Sequence, residues 1–152
     1  MNKFPLHDLT NLNDADRLCY IRYWFKENFI CENAGYKLNI YTHDGTKITF
    51  KDVKYNHAFT RENPITKQRE IDYVRLRSLH LIIETVNLIG NIILKTSLDN
   101  QHNKIRRWYL NVQTKHTVIL EKTNRGEFIF ISQYYIQADF EFRKMKNFIN
   151  KP

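Results

Sequence analysis

The chain has 152 residues, 42% of them hydrophobic and 14% aromatic, a length that suits one domain with one core and a composition that excludes disorder. Apolar runs are short, Leu81-Ile82-Ile83 being cut by Glu84, so nothing approaches the roughly 20 residues that span a bilayer, and a soluble, cytoplasmic protein without membrane contact is expected. With 24 Lys and Arg against 16 Asp and Glu, the net charge is +8, which favours polyanionic partners over acidic-site chemistry.

Along the chain, Thr10, Asn11 and Asn13 offer N-caps to a helix over Asp14 to Ile30, with Leu18, Ile21, Phe25 and Phe29 as its apolar stripe. The helix is expected to end near Asn33-Ala34-Gly35. Tyr36 to Tyr41 and Lys47 to Phe50 alternate apolar with polar around His43-Asp44-Gly45, and Asp-Gly is a strong hairpin signal. The stretch Asp52 to Gln68 has no period and contains Asn63-Pro64, which reads as a loop or a short helical turn. A long helix is predicted from Glu70 to Leu88, its buried face Ile71, Val74, Ser78, Ile82, Thr85 and Ile89. Tyr73, Arg77, His80 and Glu84 lie on the opposite face. After Gly90 the pattern predicts four strands, Asn91 to Lys95, Ile105 to Val112, His116 to Lys122 and Glu127 to Tyr135, antiparallel because no helix separates them. Loops are expected at Ser97 to Lys104 and Thr123 to Gly126. In the last strand Phe128, Phe130, Ser132 and Tyr134 alternate with Ile129, Ile131, Gln133 and Tyr135. A closing amphipathic helix, Asp139 to Ile149, carries Phe140, Met145 and Phe148 among basic residues. The expected fold class is α+β: an antiparallel four-stranded sheet packed with a long central helix, plus an N-terminal helix, a β-hairpin and a C-terminal helix. It forms a single domain over 1–152, in which 1–34 is a helical extension and 35–152 the core.

Cys19 and Cys31 stand twelve positions apart without a CxxC pair or a secretory signal, so neither a disulfide nor a zinc site is expected. No HExxH, glycine-rich phosphate loop or GxSxG elbow occurs, and no metal or cofactor is expected. The groups able to work near neutrality are histidines, lysines and arginines. That inventory suits metal-free RNA cleavage, in which the ribose 2′-OH attacks the adjacent phosphorus while a base takes its proton, an acid protonates the leaving 5′ oxygen and cations steady the phosphorane. His57, four residues before Arg61, is a candidate base beside a phosphate clamp, and equally reads as an ordinary loop histidine. His80 with Arg77 and Glu84 forms a second candidate cluster, since i, i+3 and i+4 neighbours touch, though such a row is also what a solvated ion-pair face looks like. Lys115 and His116 offer a cation or an acid at a strand start. Ser132 could donate to a scissile phosphate, and Tyr134 could stack on a splayed base.

The stretch Tyr55-Asn56-His57-Ala58-Phe59-Thr60-Arg61, the helix bearing Arg75 and Arg77, the four-strand meander and the closing Phe130-Ile131-Ser132-Gln133-Tyr134-Tyr135 resemble the phage-associated branch of the barnase/EndoU/colicin/RelE-like (BECR) nucleases. The resemblance covers roughly residues 50 to 150. It implies a BECR-like nuclease core in which His57 is general base or acid, Arg61 and Arg77 hold phosphate, and Ser132 with Tyr134 contacts the cleaved nucleotide. Lys115 or His116 would complete the set. The family's common Thr-Ala before the tyrosine is Ser132-Gln133 here.

The expected function is therefore a metal-independent endoribonuclease of the toxin type, acting on RNA such as a tRNA or an mRNA and held in check by an inhibitor or antitoxin protein. Two alternatives stand beside it, a non-catalytic basic nucleic-acid-binding module and a small phage-encoded inhibitor of a host protein.

Overall fold

The computed structural model describes residues 3–30, 38–51, 56–87, 92–99 and 104–150. Cys31, Asn33-Ala34-Gly35, Tyr55 and Ile89 lie outside them, as do the side chains of Met145 and Phe148. A short 3₁₀ turn, Leu6–Leu9, leads to α1, Asp14–Phe25, whose N-terminus is capped by the Asn13 side chain accepting from Asp16 N at 2.9 Å. The helix loosens into a π-type turn over Lys26–Ile30. Ile21, Phe25 and Phe29 are buried as the spacing predicts, whereas Leu18 is exposed.

The strands β1, Ile40–Tyr41, and β2, Lys47–Thr49, form the predicted hairpin. Its turn needs Gly45, which sits at φ +85°. The region expected as a loop holds more structure than its sequence pattern suggests. There α2 (Asn56–Phe59) runs straight into β3 (Thr60–Glu62), which pairs with β4 (Arg69–Ile71) as a separate two-stranded hairpin. Its tip is tied by the Asn63 side chain, which accepts from the N–H groups of Ile65 and Thr66.

The single long helix of the sequence reading is instead α3, Tyr73–Ser78, and α4, Leu81–Asn87, with a break at Leu79-His80. The cause lies in the carbonyl of Arg75, which a continuous helix would offer to Leu79 N. It accepts from the Ser78 hydroxyl at 3.0 Å and from the Gln133 amide at 2.9 Å, and Leu79 N turns to Leu76 O.

The four remaining strands are β5 (Ile92–Asp99), β6 (Lys104–Asn111), β7 (His116–Lys122) and β8 (Phe128–Tyr135), and α5 (Asp139–Asn150) closes the chain. The strands are antiparallel in sequence order, as expected. The sheet is nevertheless not four-stranded. The β1–β2 hairpin extends it to six strands in the order β1-β2-β8-β7-β6-β5, and the β2–β8 pairing is parallel, so the sheet is mixed.

Neighbouring residues of β6 mark the two faces of the sheet. Tyr109 belongs to the main core with residues of α1, α3 and α4, while Leu110 packs with Ile136 and Phe142 beneath α5. The main core is aromatic at its centre, with Phe29 on Phe50 and Phe50 on Phe130 stacked at 5.0 and 5.1 Å between ring centroids. The N-terminal helix, read from sequence as an extension, buries Ile21 and Phe25 in that same core.

Candidate nucleic-acid interface

A β-bulge in β8 organises the site. Leu120 faces Phe130 and Ile119 faces Ser132, which leaves Ile131 as an extra residue and reverses the alternation beyond it. Phe128 and Phe130 point into the main core, and past the bulge Gln133, rather than Ser132, points the same way. The strict alternation expected from sequence, with Ser132 and Tyr134 in line with the two phenylalanines, is thereby corrected. Pairing with β2 covers β8 only at Phe128 and Ile129, and α2 with the start of α3 lies along its later half.

At that edge the Ser132 hydroxyl donates to the main-chain carbonyl of His57 at 3.0 Å, and Arg75 Nη1 donates to the same oxygen at 3.0 Å and to Thr60 O at 2.9 Å. Arg75 reaches there because Asp72 caps α3, accepting from Val74 N and Arg75 N, and lies 3.7 Å from its Nε. The Arg75 guanidinium also stands 5.8 Å from the centre of the Tyr134 ring. Burial lowers the Arg75 pKa from the usual arginine value. Burial also pushes the Tyr134 phenol up to about 12, against the opposing pull of Arg75. Arg61, Arg75, Asp72, Tyr134, Gln137 and Glu141 line an open cleft of about 220 Å³ here. The His57 side chain is exposed, on an α2 whose Ala58 and Phe59 are buried, and its main-chain carbonyl is the atom that Arg75 and Ser132 hold. Arg61 carries an exposed ion pair with Glu70 at 3.4 Å, a contact of small energetic worth that a phosphate can displace.

Thus Arg61 and Tyr134 share the cleft, from β3 and β8, and Ser132 meets the main chain of His57 on α2 at the same edge. The other four candidates lie elsewhere. Arg77 is exposed, but two positions along α3 turn it about 200° from Arg75, away from the cleft. His80 sits in the break between α3 and α4, half-buried, its Nδ1 without a hydrogen-bond partner among the described residues and its pKa lowered by desolvation. Lys115, at φ +57°, holds α5 through Asp139 at 2.7 Å.

His116 is fully buried, and both of its ring nitrogens are engaged. The Gln133 amide nitrogen donates to the carbonyls of Ala58 at 2.5 Å and Arg75 at 2.9 Å, so its oxygen must face Ser78 Oγ at 2.7 Å and His116 Nε2 at 2.6 Å. Nε2 therefore carries the proton, and Nδ1 accepts from the Thr85 hydroxyl at 2.6 Å. Burial drives the pKa of this neutral imidazole down to about 4. Its place is in a buried chain of hydrogen bonds, Thr85–His116–Gln133–Ser78, that joins α3 and α4 to the sheet. Sequence reasoning gave Arg75 no role of its own in the chemistry, although an arginine two to three residues after a helix-capping aspartate is a recognisable signal.

Among the described residues no helix is long and apolar enough to cross a membrane, and no cluster of three metal-ligating side chains occurs. Compared with protein-family models, with curated proteins and with solved structures, the chain matches none of them.

Proposed function

We propose that this chain is a metal-independent endoribonuclease of the toxin type, with the cleft at the edge of β8 as its RNA site. The observation that carries the reading is the convergence of Arg75 and Ser132 on the main chain of His57, beside Arg61 and Tyr134, in a chain of net charge +8. In this site His57 takes the 2′ proton, the 2′ oxygen attacks phosphorus, and the P–O5′ bond breaks with the 5′ oxygen taking a proton from a water hydrogen-bonded at the cleft, giving a 2′,3′-cyclic phosphate and a 5′ hydroxyl. Arg61 and Arg75 neutralise the phosphorane oxygens. A phenol with a pKa near 12 keeps its proton at neutral pH, so Tyr134 acts on the leaving-group side as a hydrogen-bond donor and not as a base. The antiparallel β5–β8 meander with α3 and α4 on one face supports the likeness to the BECR nucleases. The broken helix and the two added strands depart from it.

The test is incubation of the purified protein with RNA in excess chelator. Cleavage to 2′,3′-cyclic phosphate ends is expected, with His57→Ala slower by about 10²- to 10⁴-fold. Loss of cutting on chelation, or equal cutting of DNA of the same sequence, would refute the reading.

A non-catalytic RNA-binding module is the second reading. It is favoured by His116 being locked in the interior and by the Ser132 hydroxyl already donating to main chain. It predicts binding that falls steeply with salt while RNA stays whole.

A further inference from the structure

Beside the cleft lies a second hollow of about 450 Å³, lined by Trp108, Tyr134, Tyr135, Phe140, Glu141 and Lys144. Tyr134, Tyr135 and Glu141 line both spaces, so the two are neighbours. Its outer wall is Phe140, in the first turn of α5, which is 64% exposed. Phe142 is packed against the Leu110–Ile136 cluster, which seats α5 on the sheet beside the hollow, and Lys115 adds an exposed ion pair with Asp139 at the start of α5.

We propose that this hollow is a base-stacking subsite for single-stranded RNA, taking the nucleobase that neighbours the phosphate held in the cleft. The proposal rests on the RNA reading of that cleft. Aromatic side chains stack on any base because every base has a π-face. The charges divide the space in a way that suits one nucleotide. Lys144, with exposed Arg143 beside it on α5, offers cations to the backbone, while the Glu141 carboxylate, which borders both spaces, can accept the N–H groups of a base. A duplex keeps its bases stacked on one another and cannot present one here, so the subsite selects single strands.

The experiment uses the full chain carrying His57→Ala, so that a short single-stranded RNA probe survives, and reads affinity and tryptophan emission. Phe140→Ala is expected to weaken single-strand binding by about tenfold while leaving duplex affinity unchanged. Phe140→Tyr, which keeps the ring, is expected to bind as the parent does. Single-strand binding is expected to quench emission, and Trp108→Phe to abolish that quench. Unchanged single-strand affinity in Phe140→Ala, or a quench that persists in Trp108→Phe, overturns the subsite, and the hollow would then be a surface for a protein partner. The two readings fail separately. Cleavage by the parent chain with Phe140→Ala binding normally leaves the nuclease and removes the subsite. Ring-dependent binding without cleavage leaves the subsite and removes the nuclease. A chain that binds no RNA removes both.

Discussion

Gln133 and Tyr134 are consecutive on β8, yet one closes a buried hydrogen-bond chain and the other lines an open cleft. On the inner side every polar atom of Gln133 has a protein partner, which makes that region rigid and intolerant of change. On the outer side the half-buried Arg75 and Tyr134 and the exposed Arg61 border an open cleft. The two sides are coupled through the backbone, because the Arg75 carbonyl that Gln133 holds belongs to the residue whose guanidinium enters the cleft. The inner chain thus acts as the support that positions the outer site.

That division is broken most severely at Gln133. Gln133→Leu leaves the Ala58 carbonyl and the His116 N–H without the partner they have here, and leaves the Ser78 hydroxyl and the Arg75 carbonyl only each other. It is expected to cost roughly 3 kcal/mol or more, measured by urea denaturation. A variant as stable as the parent would show that the buried chain supports nothing. Acid probes the same chain without mutation. The folded pKa of His116 lies near 4, below its ordinary value of 6.5, so the unfolded chain binds the proton first as pH falls. Stability contributed by this group is complete above 6.5 and declines between 6.5 and about 4, by at most about 3 kcal/mol. Melting followed across that range should show the decline, and His116→Gln should flatten it. A slope that persists in His116→Gln would assign it to other groups. On the outer side the expectation reverses. Ser132→Ala removes one of two donors to the His57 carbonyl and is expected to cost only about 1 kcal/mol in stability. RNA cleavage should drop further than that loss explains. An activity loss no larger than the shift in folding would make Ser132 structural.

The elements that were legible in the sequence are those whose signal is local. The Asp44-Gly45 turn, the Asn13 cap, the β6–β8 strands and α5 follow from turn chemistry and from periods of 2 or 3.6 within one segment. Less legible was the region from Asn56 to Ile71, where a four-residue helix and two three-residue strands are too short to show a period. The site was half legible for a related reason. His57, Arg61, Ser132 and Tyr134 are polar residues in otherwise apolar or turn-rich stretches, whereas His116 looks in sequence like any strand-edge histidine and is in fact buried.

Sequence by itself determined the α+β class, the antiparallel order of β5 to β8 and the cationic balance, because none of them depends on which distant groups compete for one place in the fold. Tertiary structure alone decided the parallel seat of β2 on β8, the break at Leu79-His80 and the bulge at Ile131. Each arises where groups distant in sequence compete for the same hydrogen bonds or the same space, as the Gln133 amide does for the carbonyl of Arg75.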